Sequence, residues 1–307
     1  MHRRAFVLAV AGLFAFAACS AAPPIATPTP TPTPTLERPA LHFWSGSTIA
    51  EKTVRAVIAQ TTQRVGYAPE LKNVNPSDVN GLLYDLADSP NAVAIGFAVT
   101  MLRDLGGGLE PPAPDDVLSL LASEIQDSAQ LLATTPLDGR IVWAVAADSP
   151  LTSLADLKAW SAAAPKPIAI PTFVGSRSDG IPSLEVVYEA NVEIKYQDDA
   201  LKRSEALLSG AVEVAAFRAC DFTELAGFKL LEDPAGITVS DPMVVLLSPG
   251  LADAHPEAVL AFSDVLKKIN EANFTDLQSK VASGVDTESW VNSWLIEYGN
   301  VPEEPLG

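Results

Sequence analysis

Short apolar runs alternate along the chain with stretches in which apolar residues return every three or four positions, the signatures of buried strands and of amphipathic helices. Leu41-His42-Phe43-Trp44 is the first strand candidate. The polar Ser45-Gly46-Ser47-Thr48 follows, rich in groups that cap helices. Ala50, Val54, Val57, Ile58, Thr61 and Val65 then recur at helical spacing and stop at Gly66. The same alternation continues with a helix over 79–88, a buried strand over 93–97, a glycine- and proline-rich loop over 105–114, a helix opening at Asp115, and a strand over 141–147. Asp148-Ser149-Pro150 breaks the pattern. Beyond it, Ser153 opens a short helix in capping-box style. Strands over 166–171, 192–196 and 212–218 alternate with helices over 183–190 and 200–209. A buried strand over 241–248 precedes helices over 256–270 and 287–298. The βαβαβ order predicts an α/β fold with mainly parallel pairing. In such folds ligands collect at the carboxyl ends of strands.

The first forty residues carry a different pattern. His2-Arg3-Arg4 is basic, and residues 5–18 are apolar throughout. That run is shorter than the ~20 residues a membrane-spanning helix needs, and a basic start with small residues at its end describes a secretory signal. Phe16-Ala17-Ala18-Cys19 resembles a bacterial lipobox, which predicts cleavage before Cys19 and lipid attachment to its thiol. Ordinary signal cleavage with an incidental Cys19 is the alternative. Residues 20–39, SAAPPIATPTPTPTPTLERP, alternate Thr and Pro and read as an extended spacer. The expected organisation is a signal peptide over 1–18, a lipidated cysteine and linker over 19–39, and a folded body tied to a membrane outside the cytoplasm.

Composition narrows the functions of that body. The chain has 307 residues, 48% of them hydrophobic, enough for two compact lobes. It carries 20 Lys+Arg against 38 Asp+Glu, a net charge of −18, which argues against nucleic acid as a partner. Two cysteines exclude a disulfide scaffold. Cys220, the one thiol of the body, reads as buried and inert. No His/Cys/Asp/Glu spacing suggests zinc, and no calcium loop is visible, so neither a metal nor a cofactor is expected. The body has only His42 and His255, and no Gly-x-Ser-x-Gly elbow occurs, so no nucleophile–base pair suggests an enzyme.

Several segments, in order, carry a family resemblance. Residues 45–52 read SGSTIAEK, Leu154-Ala155-Asp156-Leu157 opens the second half, and Arg177-Ser178-Asp179-Gly180 precedes Leu184 and Tyr188. Phe217-Arg218-Ala219-Cys220-Asp221, Leu231-Glu232-Asp233, His255-Pro256-Glu257 and Trp294-Leu295 with Gly299 follow. Together they resemble the substrate-binding proteins of ABC importers for glycine betaine, choline, carnitine and proline. The resemblance implies a two-lobed periplasmic-binding-protein fold of the second class. Residues 41–146 with 240–300 would form one lobe and 147–239 the other, with hinge strands at 144–147 and 239–243. It also implies closure of the lobes on a small ligand, a membrane permease as partner, and a monomer.

For the ligand site, a quaternary ammonium offers no N–H and is held by aromatic faces. The resemblance places Phe97 and Phe217 where relatives carry Tyr, and a third Tyr falls on Ile141, with Trp143 two residues on and Trp44 at the end of the first strand. Core packing is the alternative reading of these rings. Arg218, beside one Tyr position, suits a carboxylate and opposes a cation, which turns the expectation toward an acid, an amino acid or a zwitterion. An ion pair with Asp221 or Glu224 is its alternative. Arg177 and Asp179 sit in a loop suited to ligand contact or to a turn. Ser45, Ser47 and Thr48 offer donors beside a helix N-terminus. A binding fold that has lost transport and serves as a sensor or scaffold is the rival function.

Overall fold

The computed structural model describes residues 38–74, 78–106 and 116–299. The expected signal peptide, Cys19 and nearly all of the Thr-Pro stretch lie outside the described residues. The chain opens with β1 (Leu41–Ser45), α1 (Ile49–Arg64), β2 (Pro69–Asn73), α2 (Val79–Asp88), β3 (Ala92–Phe97), α3 (Ala98–Gly106), α4 (Val117–Ile125) and β4 (Gln130–Asp138). It crosses to β5 (Ile141–Ala146), α5 (Leu157–Trp160), β6 (Lys166–Ile170), α6 (Thr172–Ser176), α7 (Ile181–Val186), β7 (Val192–Tyr196), α8 (Ala200–Leu208), β8 (Val214–Arg218), α9 (Phe222–Leu225) and β9 (Phe228–Leu230). It then returns through β10 (Pro242–Leu247) to α10 (Leu251–Ala254), α11 (Pro256–Leu266), α12 (Glu271–Ser283) and α13 (Thr287–Glu297).

Two five-stranded sheets result, ordered β2-β1-β3-β10-β4 and β7-β6-β8-β5-β9. Both are mixed, whereas the alternation of elements predicted mainly parallel pairing. β1 pairs in parallel with β2 and β3, but β10 runs antiparallel to β3 and to β4. In the second sheet β6 pairs in parallel with β7 and β8, and β5 runs antiparallel to β8 and β9. The antiparallel strands are those whose chain arrives from the other sheet. They enter from the opposite end, with no helical crossover to turn them round.

Each sheet is covered on both faces, which is why β3 reads as an unbroken apolar run with all six residues buried. On one face of the first sheet, Phe43, Val57, Phe262, Phe274 and Leu295 pack together under α1, α11, α12 and α13. On the other, Trp44, Leu86, Ala94, Leu121 and Leu246 pack under α2, α3 and α4. The second sheet buries Ile141, Trp143, Val145 and Leu184 on one face and Ala144, Leu207 and Phe217 on the other.

By its pairing, Ile141–Ala146 belongs to the second sheet, so the passage between sheets falls at Gly139-Arg140, a few residues before the expected hinge. The return passage meets it there. Gly139 N–H donates to the Asp241 carbonyl at 2.7 Å, and Asp241 N–H donates to the Asp138 carboxylate at 2.8 Å. Two crossing segments laced in this way form a narrow two-stranded joint.

Candidate functional site

The joint delivers one acid into a cluster built from both halves. β3 ends at Phe97 and α3 starts at once, so its first N–H groups lack helical acceptors. Asp241 supplies one. Its carboxylate accepts from Val99 N–H at 2.7 Å, from Thr100 N–H at 3.3 Å and from the Thr100 hydroxyl at 2.7 Å. From the second half come Arg177, whose Nη1 lies 3.0 Å from the carboxylate, and Arg218, whose Nη1 lies 3.3 Å away. Asp241 is wholly buried. Burial alone pushes its carboxyl up, but the charges of Arg218 and Arg177 and the Thr100 hydrogen bond outweigh it and hold the group below the usual carboxylate range.

Arg177 also grips Asp179, with Nε and Nη2 donating at 2.8 and 2.6 Å, a two-pronged pairing. Desolvation works against its charge, yet the Asp179 hydrogen bond and the carboxylates of Asp241 and Asp179 leave its guanidinium more firmly protonated than usual. A third arginine reaches across from the first half. Arg103 on α3 donates to Asp179 at 3.2 Å and to the Ser178 hydroxyl at 3.0 Å. Three guanidinium groups thus face two buried carboxylates.

Arg218 ends β8 and points into the joint. Its Nη1 donates to the Gly139 carbonyl at 3.1 Å, and Nη2 approaches the Thr100 hydroxyl at 3.4 Å. Its guanidinium carbon sits 3.9 Å from the ring centre of Phe97 and 4.1 Å from that of Phe173. One ring comes from the first sheet and the other from α6 on the second. Of the two sequence alternatives for Arg218, Asp221 does bond to it, but through the backbone: Arg218 N–H donates to Asp221 Oδ2 at 3.0 Å. The side chain goes to Asp241.

Phe97, Arg177, Asp179 and Arg218 are therefore brought together. The other sequence candidates lie elsewhere. Trp44 packs in the core of the first sheet and borders a surface hollow of about 240 Å³ with His42, Glu70 and Lys72. Ser45 is buried at the end of β1 and donates to the Gly46 carbonyl. Thr48 caps α1 in a reciprocal box with Glu51. Trp143 is core in the second half, with its Nε1 unpartnered among the described residues. Phe217, next to Arg218, faces the opposite side of β8, where it stacks on Phe228 and lies under the Arg203 guanidinium. Cys220 is fully buried, and desolvation pushes its thiol well up.

Thr100, Arg103, Phe173 and Asp241 complete the cluster and were not foreseen. Phe173 lies in the first turn of α6, just past Pro171 and the carboxyl end of β6, and that position was the available signal. Among the described residues, no group of three or more His, Cys, Asp or Glu side chains is placed to hold a metal ion.

No protein-family model matches this chain, and no curated protein matches it. Solved structures do. A glycine betaine/carnitine/choline ABC transporter protein superposes with a TM-score of 0.68 at 13% identity, covering 85% of this chain and 100% of its own. An ABC-transporter choline-binding protein in complex with choline gives 0.60 at 15% identity, over 84% and 88% of the two chains. The lactococcal OpuAC, closed on glycine betaine, gives 0.59 at 14% identity, over 85% and 96%. These likenesses establish a shared fold, the periplasmic-binding-protein-like arrangement of two mixed α/β units.

Proposed function

We propose that this chain is the extracytoplasmic solute-binding component of an ABC importer, closing two lobes on a small zwitterionic or quaternary-amine solute and handing it to a membrane permease. It makes and breaks no bond. The fold is shared with proteins described as binding glycine betaine or choline. The observation that carries the reading is the cluster itself. Aromatic faces, arginines and carboxylates from both sheets converge at the joint, where a hinged pair of lobes would enclose a ligand. Lobe one would comprise β1–β4 with β10 and the closing helices, lobe two β5–β9. The leader, Cys19 and the Thr-Pro stretch would tether a monomer to the outer face of a membrane, and no helix among the described residues is long and apolar enough to cross one.

One observation favours a second reading. Arg218 already covers the ring faces of Phe97 and Phe173, so an organic cation entering there must displace a guanidinium. A receptor for a carboxylate or amino acid, or a binding fold retained as sensor or scaffold, follows from that. Titration calorimetry of the purified chain separates them. Saturable binding of glycine betaine, choline, carnitine or proline supports osmolyte capture. Binding confined to amino acids or small carboxylates supports the acid receptor. Silence across all three classes overturns capture and leaves the sensor or scaffold.

A further inference from the structure

A guanidinium laid against two phenyl faces is bound as an organic cation is bound: flat, weakly hydrated, attracted by the ring quadrupoles. The rings belong to different halves, Phe97 to β3 and Phe173 to α6. Beside them the Asp241 carboxylate takes the N–H groups that open α3, as a free carboxylate would. Cation and carboxylate stand 3.3 Å apart, and the chain supplies both. Around this pair the halves are drawn together by Arg177 on Asp241 and by Arg103 on Asp179 and Ser178. Arg103 is the only one of the three arginines that comes from the first half, so the clamp is reciprocal.

We propose that Arg218 is a tethered ligand: its guanidinium occupies an organic-cation slot formed by Phe97, Phe173 and Asp241 and closes the two halves without any solute. The inference rests on the two-lobed hinge of the reading above and not on transport, and it goes with the second reading there, because a slot that Arg218 fills leaves no place for a quaternary amine in the wild type. The slot's class follows from its walls. Two aromatic faces and one buried carboxylate suit a small delocalised or quaternary cation, and they exclude an anion. Truncating Arg218 empties the slot and leaves Asp241 with one arginine fewer, which favours uptake of a free cation in its place.

The test is chemical rescue. Arg218→Ala is titrated calorimetrically with low-millimolar methylguanidinium and with tetramethylammonium, and small-angle scattering is recorded with and without each. Expected are saturable binding to the variant and none to the wild type, a larger radius of gyration for the empty variant, and return to the wild-type radius with cation. The double variant Phe97→Ala/Arg218→Ala should lose the uptake. A folded Arg218→Ala that binds neither cation, or keeps the wild-type radius, overturns the proposal, as does equal binding by wild type or by the double variant. Should Arg218→Ala fail to fold, Arg218→Lys decides. A compact ammonium cannot cover both rings, so its radius should exceed that of wild type, and an unchanged radius overturns the proposal. A wild type that binds no solute sinks osmolyte capture while leaving this inference standing.

Discussion

Gly139 is held to hydrogen as a side chain by two neighbours at once. A methyl there would lie 2.3 Å from Phe97 Cδ1 and 2.9 Å from Arg218 Nη1. Both contacts are closer than atoms tolerate, and the Phe97 ring is buried with little room to retreat. Gly139→Ala should therefore cost about 1–3 kcal/mol by overpacking, lowering the melting temperature by several degrees. A denaturation midpoint equal to wild type would show that the ring and the guanidinium do not meet at this glycine. The same spot explains what could be read of the site beforehand. Phe97, Arg177, Asp179 and Arg218 stand at strand ends or in a Gly-flanked loop, where position signals chemistry. Asp241 and Arg103 carry no such mark. One lies in a passage between sheets and one on a helix, and only the crossing of the chain brings them to Arg177 and Asp179.

Among the elements, α1 shows how a polar turn can serve the fold instead of a ligand. Thr48 and Glu51 cap each other, and Gly46 leaves space for the Glu51 carboxylate, which would lie 2.6 Å from a methyl at that position. Burial pushes the Glu51 carboxyl up, opposed by the Thr48 hydrogen bond and by Arg218. The native state thus holds this proton more tightly than the unfolded chain does. The contribution of this group to stability is full below its unfolded value of about 4.3 and declines as pH rises through the folded one. Glu51→Gln keeps the capping box and removes the charge. Urea unfolding should show the variant more stable at pH 7 and little changed near pH 4; a loss at neutral pH would refute the assignment. Capping at α1 was legible because Ser, Thr and Glu stand at set offsets from an apolar repeat. β4 was not, since Pro136 interrupts it; as the terminal strand of its sheet it tolerates a residue without N–H. α12 was missed for lack of a clear apolar stripe: only Phe274, Leu277 and Gln278 are buried along its 13 residues.

At the scale of the molecule, two sets of buried acids pull in opposite directions. Glu51, Asp221 and Glu224, where the halves meet around β8, are all raised, each chiefly by desolvation. Asp241 is lowered, its arginines overcoming burial. As pH falls from neutral, the raised groups take up protons in the native state first, and stability climbs. The chain's net charge of −18 shrinks over the same range, which relieves self-repulsion. Further acidification reverses the trend. Below the unfolded Asp value of about 3.9, the contribution of Asp241 is lost as pH drops through its depressed folded value, and Arg177 and Arg218 lose their shared partner. The melting temperature should therefore peak on the acid side of neutrality, above the unfolded Asp value of about 3.9. Thermal unfolding followed by circular dichroism across that range, at low and at high salt, measures it. Salt screens the surface charges and removes their share of the climb, whereas the share owed to buried groups persists. The triple variant Glu51→Gln/Asp221→Asn/Glu224→Gln should flatten that persistent climb and leave the acid fall intact. A melting temperature that keeps rising to alkaline pH would mean that these acids are not buried against one another, and that the halves do not meet as closely as the arginine cluster requires.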